Sequence, residues 1–395
     1  MNLTIVIPAY NEEEAIASII ERTLAAKNEI IAQTQIKDVN IVVVSDGSKD
    51  RTVEIASGYK GIELIWYPNN KGYGAAIKTG FAKTTDDFVS FLDADGTCDP
   101  LFFIKLLKQQ KETNADIVLG SRLGPDSEMP TIRRIGNMLF ATLINLWAGT
   151  KIKDSASGMR LIKRSALTEI YPLPDGLHFT PAMSAKALFD KRMRIEEIPM
   201  PYKERMGQSK LKVVKDGIRF LRAILEAAVV FKPRRAFNVA ALLFLLSAAL
   251  LGISPLLYFV ENGTFESDMI YRLLTIVLLA NVGFLLLGIG IAAQRFLDLL
   301  HYRKLLTKGT INGLENLILN HGLISGLIAL IVSLAFFFKP LGQLITTSHI
   351  EVSWWVVLLG SFFFMLGFQL ICFGVLGIII NTLITNFRDK DSVLA

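Results

Sequence analysis

Up to about Pro233 the charged residues of this chain are interspersed throughout; beyond it come long uncharged stretches. Such a sequence divides into a soluble domain of roughly 200–230 residues, enough for one sizeable core, followed by a membrane domain. Bulk composition agrees: 51% hydrophobic with 20% charged is too apolar for an ordinary soluble protein and too charged for a purely membrane one. Four spans are expected, over about 236–260, 270–293, 319–338 and 352–380, since about 20 apolar residues cross ~30 Å of hydrocarbon at 1.5 Å per residue. The third is the shortest; the fourth is longer than needed, so it should tilt or extend.

Orientation follows from Lys and Arg. Lys232, Arg234 and Arg235 precede the first span, Arg295, Arg303, Lys304 and Lys308 follow the second, and Arg388 and Lys390 follow the fourth, whereas Glu261–Asp268 is acidic. This bias predicts an integral, multi-pass membrane protein with the soluble domain and both termini in the cytoplasm. Met1 leads straight into the short apolar run Leu3–Ile7, stopped by Pro8, so no signal peptide is read. The net charge of +6 clusters beside the spans, which points to anionic membrane lipid and away from nucleic acid. Cys98 and Cys372 give neither a disulfide framework nor metal-ligand spacing.

Between the domains, Val213–Phe231 has apolar residues at helical spacing with Lys212, Lys215, Arg219 and Arg222 between them. The expected boundaries are therefore 1–211 for the soluble domain, 212–235 for an interfacial amphipathic helix and linker, and 236–395 for the membrane domain. The alternative is a helix packed on the soluble domain. Arg295–Ile318 is a second interfacial candidate.

Within the soluble domain, apolar runs alternate with helical patterns. Strands are expected at Leu3–Ile7, Ile41–Val44, Ile62–Tyr67, Phe88–Leu92 and Ile117–Leu119. Helices are expected from about Glu12 with Asn11 as cap, and over Thr52–Ser57, Gly74–Phe81 and Leu101–Gln110. The order implies an α/β fold with a mostly parallel sheet between helices, whose ligands bind beyond the carboxyl ends of the strands. Pro8–Glu12, Asp46–Ser48 and Asp93–Asp95 all fall there. At the end of a strand, Asp93 and Asp95 would point to one side with Ala94 turned away. Paired hard oxygens of this kind suit Mg²⁺ or Mn²⁺ shared with a phosphorylated ligand.

Taken in order, Pro8-Ala9-Tyr10-Asn11-Glu12-Glu13, Val44-Ser45-Asp46-Gly47-Ser48, Asn70-Lys71-Gly72-Tyr73-Gly74, Asp93-Ala94-Asp95-Gly96 and Ser157-Gly158-Met159-Arg160-Leu161 resemble the motifs of inverting family-2 glycosyltransferases of the GT-A fold. With the spans attached, the chain most resembles polyprenyl-phosphate glycosyltransferases of the dolichol-phosphate mannose or glucose synthase type, over about residues 1–230. The resemblance implies a Rossmann-like GT-A domain that moves one hexose, mannose or glucose, from a GDP- or UDP-linked sugar to polyprenyl phosphate on the cytoplasmic leaflet. A processive synthase is the rival enzyme, but its Gln-x-x-Arg-Trp signature is absent. A protein that binds or transports a lipid-linked sugar is the rival of another class, although few ionisable residues lie within the spans. A homo-oligomer is left open.

The resemblance also implies roles. Pro8, Tyr10, Glu12 and Asp46 would hold the nucleoside; Lys71, Gly72 and their backbone N–H groups would approach the diphosphate. Asp95 would bind the metal, with Thr97 as a further ligand and Asp93 on the ribose or a metal-bound water, Ala94 lying between them. Ser121, Arg122, Arg133, Asn137, Arg205, Ser209 and Lys210 would receive the acceptor phosphate. Asp154 would orient the acceptor or act as base, or pair with Arg160; Asp95, Asp154 and Arg122 make the expected catalytic set. Three positions depart from the family pattern: Ser45 where an acid is common, Thr97 where Gln is common, and Asn137 in place of Ser. His178 is read as structural.

Overall fold

The computed structural model describes residues 1–124, 127–149, 151–190, 192–205, 210–301 and 313–393. They form two compact units, Met1–Phe231 and Lys232–Ala395.

In the first unit a seven-stranded sheet is built from β1 (Asn2–Ala9), β2 (Asp38–Asp46), β3 (Glu63–Tyr67), β4 (Phe88–Leu92), β5 (Ile117–Ser121), β6 (Met159–Lys163) and β7 (Ile195–Pro199), in the order β3-β2-β1-β4-β6-β5-β7. Helices α1 (Ile16–Gln33), α2 (Thr52–Ser57), α3 (Tyr73–Lys83), α4 (Phe102–Thr113), α5 (Thr131–Ala148), α6 (Arg164–Ile170), α7 (Phe179–Phe189) and α8 (Val213–Phe231) complete it. Helices cover both faces, so the central strands are apolar without alternation. Leu3, Ile5 and Ile7 join one core with Ile16, Ile19 and Phe103, whereas Val6, Val42 and Val44 join another with Ile77, Phe81 and Met183. Parallel pairing of β1 with β2 and β4 brings their carboxyl ends to one edge.

The sheet is mostly parallel, as expected, with one reversal: β6 runs antiparallel to β4 and β5. Neither β6 nor β7 stands out as an apolar run. Arg160 interrupts one, and Glu196 and Glu197 interrupt the other. Asn11 does not cap α1, which starts later, at Ile16. Instead Asn11 takes a left-handed backbone (φ +52°) and its Oδ1 accepts the Lys49 N–H at 2.8 Å. Short polar Asn tolerates that conformation better than most residues.

Helix α8 packs on the first unit. Ile224, Ala227 and Ala228 are buried with Ile144 of α5 and Ala185 and Phe189 of α7. Phe220 meets Phe140 edge-on at 5.7 Å between ring centroids. Its other face leaves Val214, Ile218, Leu221 and Leu225 exposed.

The second unit contains α9 (Pro233–Asn262), α10 (Ile270–His301), the single turn α11 (Gly313–Glu315), a π-helical turn over Asn316–Asn320, α12 (Gly322–Thr347) and α13 (Trp354–Val393). Helices α9, α10, α12 and α13 are each long and apolar enough to cross a membrane. The third is not short: it begins at Gly322 and runs through Pro340 to Thr347. Glycines let α12 and α13 approach backbone to backbone. A Cβ on Gly322 would lie 2.6 Å from the Leu370 carbonyl oxygen, and one on Gly326 2.7 Å from that of Gly367. Small residues serve this purpose where burial of apolar surface drives little association. Backbone atoms cannot swing aside as a side chain can, so Gly326→Val should lower the thermal midpoint of the detergent-solubilised protein. The expected cost is at least the ~1–3 kcal/mol of ordinary overpacking, read by helix unfolding in circular dichroism.

Candidate active site

The loops after β1 and β2 are stitched together at the carboxyl edge. The Asn11 N–H donates to Ser48 Oγ (3.1 Å), the Glu12 N–H to Thr52 Oγ1 (2.9 Å), and Ser45 Oγ to Ser48 Oγ (2.8 Å). Pro8 and Tyr10 lie on this rim, and Glu12 is turned inward, 11% exposed at its side chain. Asp46 does something other than expected. Its buried carboxylate accepts the backbone N–H groups of Lys71 (2.6 Å) and Gly72 (2.8 Å), while its carbonyl accepts Asn70 Nδ2 (3.1 Å). The two N–H groups assigned to a diphosphate are therefore spent on Asp46. A third, that of Ala75, goes to the Asp175 carbonyl at 3.1 Å. The Lys71 ammonium stands 4.1 Å above the Tyr67 ring. Gly72 has φ +112° and a Cβ there would collide with the Asp175 carbonyl, so only glycine fits.

At the end of β4, Ala94 is turned away from the two carboxylates and buried in the core, where its side chain is not open to a nucleotide sugar, and Asp93 and Asp95 lie at the edge. Tyr73 Oη donates to Asp93 Oδ1 at 2.6 Å. Gly158 closes the other side: a Cβ there would lie 2.5 Å from Asp93 Cγ and collide with Oδ2. Burial, then the charge of Asp95, pushes the Asp93 carboxyl up to about 7. Asp95 is clamped by Thr97, whose N–H (3.2 Å) and Oγ1 (2.7 Å) both donate to Oδ1. Thr97 thus braces Asp95, with its hydroxyl proton committed to the carboxylate. Asp95 Oδ2 has a looser neighbour, Arg205 Nη1 at 3.8 Å.

Arg205 and Lys210 lie against the donor-side acids. Lys210 Nζ donates to Glu12 Oε1 (2.7 Å) and to the Asn11 carbonyl (2.7 Å), and Arg205 Nη2 lies 3.3 Å from Glu12 Oε1. The separation of an acceptor set from a donor set is thus not kept here. Two enclosed carboxylates need counter-charge, and these two cations supply it. Even so, burial dominates at Glu12 and raises its pKa above the ordinary glutamate value. Ser209 lies outside the described residues. Arg205 Nε and Ser121 Oγ are buried without a hydrogen-bond partner among the described residues.

Arg122, Asp154 and Asn137 form a third group. Arg122 grips Asp154 through Nε (2.8 Å) and Nη2 (2.9 Å), its own N–H adds a third bond (2.9 Å), and Asn137 Nδ2 donates a fourth (2.7 Å). Burial works against ionisation of Asp154, but the Arg122 charge and these bonds prevail and hold its pKa below the usual value. A fully enclosed carboxylate so saturated is no general base. Nor does it pair with Arg160, whose buried guanidinium donates instead to the carbonyls of Ser157 (3.1 Å) and Ser155 (2.8 Å). Desolvation brings Arg160 down to about 10. Asn137 serves Asp154, and Arg133 stands one turn before it on α5 without a hydrogen bond to this group.

Tyr73, Gly158 and Glu197, which receives the Asp154 N–H at 2.7 Å, were not singled out by the sequence. The first two sit inside quoted motifs, yet no spacing rule connects either with Asp93. Among the described residues no group of three or more His, Cys, Asp or Glu side chains is placed to hold a metal ion. A pair of carboxylates still matches Mg²⁺, which is commonly held by one or two of them together with substrate phosphates. If Asp93 is set for such an ion, Tyr73→Phe should weaken Mn²⁺ binding, titrated by electron paramagnetic resonance with nucleotide present. Loss of a hydrogen bond to a charged group costs about 1.5–3 kcal/mol, roughly 10- to 150-fold in affinity. Gly158→Ala should do at least as much, since the methyl displaces Asp93 itself.

Residues 4–171 match the model of glycosyl transferase family 2. The chain is 35% identical over 233 residues to the low-salt glycan biosynthesis hexosyltransferase Agl6 of Haloferax volcanii, a match spanning 57% of this chain but only 54% of that protein. It is 31% identical over 235 residues to a dolichyl-phosphate hexose transferase of the same organism, covering 58% of this chain and 94% of the relative. Against the dolichyl-phosphate beta-glucosyltransferase ALG5D of Trichomonas vaginalis it is 33% identical over 244 residues, 56% of this chain and 72% of the relative. The chain thus spans about half the length of the first relative and most of the other two. With the motifs gathered at one edge of a mostly parallel, GT-A-like sheet, these matches establish that the chain belongs to glycosyltransferase family 2.

Proposed function

We propose that this protein transfers a single hexose, glucose or mannose, from a nucleoside-diphosphate sugar to the phosphate of a polyprenyl lipid on the cytoplasmic leaflet, with inversion and with a divalent cation. The observation that carries the reading is the carboxylate pair Asp93–Asp95 beyond β4, set beside Glu12, Arg205 and Lys210 in a chain that also holds four membrane-competent helices. Two of the relatives are dolichyl-phosphate sugar transferases by name, which supports a lipid phosphate as acceptor.

Asp95 and Asp93 would hold Mg²⁺ or Mn²⁺, which when bound neutralises charge growing on the departing diphosphate. The chain's own residues do the rest. Pro8, Tyr10 and Glu12 line the nucleoside side. Asp46 fixes the loop carrying Lys71. Arg205, whose Nε is unpartnered among the described residues, and Lys210 are close enough to Glu12 to meet a phosphate arriving there. Arg122 keeps Nη1 outside its grip on Asp154, and Ser121 Oγ is unpartnered among the described residues, so both suit the acceptor phosphate. That phosphate is already anionic at neutral pH and can attack the anomeric carbon without surrendering a proton to the protein. A saturated Asp154 fits this chemistry.

The first unit also carries a surface suited to a bilayer. Ile132, Ile135, Leu139 and Leu146 of α5 and Val214, Ile218, Leu221 and Leu225 of α8 are exposed, with Arg133, Arg134, Lys215 and Arg222 on the same helices. Apolar side chains among basic ones are the signature of a helix lying in the headgroup region. Only Lys232 separates α8 from α9. The interfacial reading of 212–235 therefore extends to α5.

The deciding assay combines purified protein, polyprenyl phosphate, Mg²⁺ or Mn²⁺ and a panel of radiolabelled nucleotide sugars. One sugar should appear on the lipid, in a product of single-sugar size, and chelator should abolish transfer. Asp95→Asn should fold normally yet lose roughly 10- to 150-fold in turnover, the value of one charge-assisted contact. Full activity of that variant, or activity indifferent to chelator, would sink the metal assignment. Topology is tested separately: reporters at Met1 and Ala395 should be cytoplasmic, and a tag within Glu261–Asp268 should be reached from outside. An externally labelled C-terminus would mean that the number of spans is odd.

A further inference from the structure

A second cluster of charge lies in the unit Lys232–Ala395. Arg234, in the first turn of α9, places Nη1 3.3 Å from Glu315 Oε2, and Arg295, near the end of α10, places Nη1 3.9 Å from Glu315 Oε1. The helices meet here because residue 290 is glycine: a Cβ would lie 2.8 Å from Phe237 Cβ and 3.5 Å from Arg234 Cα. The three side chains are 30%, 21% and 13% exposed in the order Arg234, Arg295, Glu315. Among the described residues two guanidiniums thus share one carboxylate in a largely enclosed place, leaving one positive charge in excess there. The nearby acid Asp298 accepts a hydrogen bond from Gln294 at 3.0 Å.

An enclosed charge without a counter-charge is costly. Neither contact with Glu315 is the parallel two-bond fork that arginine prefers with an oxyanion. Each guanidinium engages through a single Nη1, and its remaining N–H groups can serve a second acceptor. The residues sit at the ends of helices long enough to span a bilayer, where the abundant anion is lipid phosphate. Basic clefts between membrane helices bind such headgroups.

We propose that Arg234 and Arg295, bridged by Glu315, form a binding site for the phosphate headgroup of an anionic phospholipid at the joined ends of α9 and α10. The inference rests on the reading that these helices cross a membrane, but not on any sugar transfer. The acceptor lipid shares the phosphate chemistry; the phospholipid is favoured because Arg234, Arg295 and Glu315 belong to the membrane unit, whereas the residues assigned to the acceptor belong to the other.

The test uses the full-length protein in phosphatidylcholine nanodiscs doped with phosphatidylglycerol, with bound lipid counted by native mass spectrometry and no sugar donor present. Wild type should retain phosphatidylglycerol over phosphatidylcholine. Arg234→Gln with Arg295→Gln should reduce that retention roughly tenfold or more, the factor for one lost charge-assisted contact. Glu315→Gln, which removes the competing acceptor, should retain at least as much as wild type. Should the double variant fail to fold, Arg295→Lys keeps the charge without the fork and should retain an intermediate amount. Unchanged retention in the arginine variants overturns the site. Equal loss in Glu315→Gln does so too, because the trio would then be only a clamp between helices. Displacement of phosphatidylglycerol by equimolar polyprenyl phosphate would reassign the site to the acceptor lipid and overturn the phospholipid claim. A protein that retains phosphatidylglycerol but transfers no sugar leaves this site standing and defeats the transferase reading instead.

Discussion

Carboxylates withdrawn from water have to be compensated, and five of them crowd the carboxyl edge of this sheet. Asp46 is satisfied by two backbone N–H groups, Asp93 by Tyr73, Asp154 by Arg122 and Asn137, and Glu12 by Lys210 and Arg205. Asp95 differs from the rest. Thr97 saturates one of its oxygens, while among the described residues the other has only a guanidinium at 3.8 Å. A cation would therefore find one oxygen oriented and the other loosely held. Asp46 and Asp154 are thereby spent on holding the edge together, and Asp95 is the least committed of the five.

This division explains why the Arg122–Asp154 pair is poor machinery for proton transfer and good machinery for holding shape. Removing one member of a buried ion pair leaves the other charge unpaired, at a cost of about 3–5 kcal/mol. Loss of activity on mutating Asp154 would then report a collapsed edge and not a missing base. The same pair carries the end of β5 toward α5, where Asn137 anchors the helix and Ile132, Ile135 and Leu139 are turned outward.

What could be read from the sequence was what depends on local pattern. Phe88–Leu92 and Thr52–Ser57 form their elements with the bounds expected, because a mostly apolar run broken only by the small Ser90 and a short helical pattern speak for themselves. The motifs meet at one edge because parallel strands leave no other arrangement. The pairings within that edge were not legible. Asp46 captures Lys71 and Gly72 only because Gly72 adopts φ +112°, and Arg205 finds Glu12 across 193 positions. Strand β6 was hidden by Arg160, which no pattern rule would bury, and β7 by two glutamates on an edge strand. Helix α8 is apolar on two sides, so its spacing could not say which side the protein would keep. The structure buries Ile224, Ala227 and Ala228 and leaves Ile218 and Leu225 outside.

The reversed strand β6 has a consequence for folding fidelity. Its pairing sets Met159 opposite Leu92 and Arg160 opposite Phe91, so the chain enters the sheet at Gly158 beside Asp93 just as β4 leaves it. A slip of one residue in an antiparallel pair exchanges the two faces of the strand. Here it would also carry a side chain into the space that Gly158 keeps open and turn the Arg160 guanidinium away from the carbonyls that hold it. A misregistered sheet would therefore lose its acidic edge as well as its packing. Correct strand alignment and a competent site are selected together.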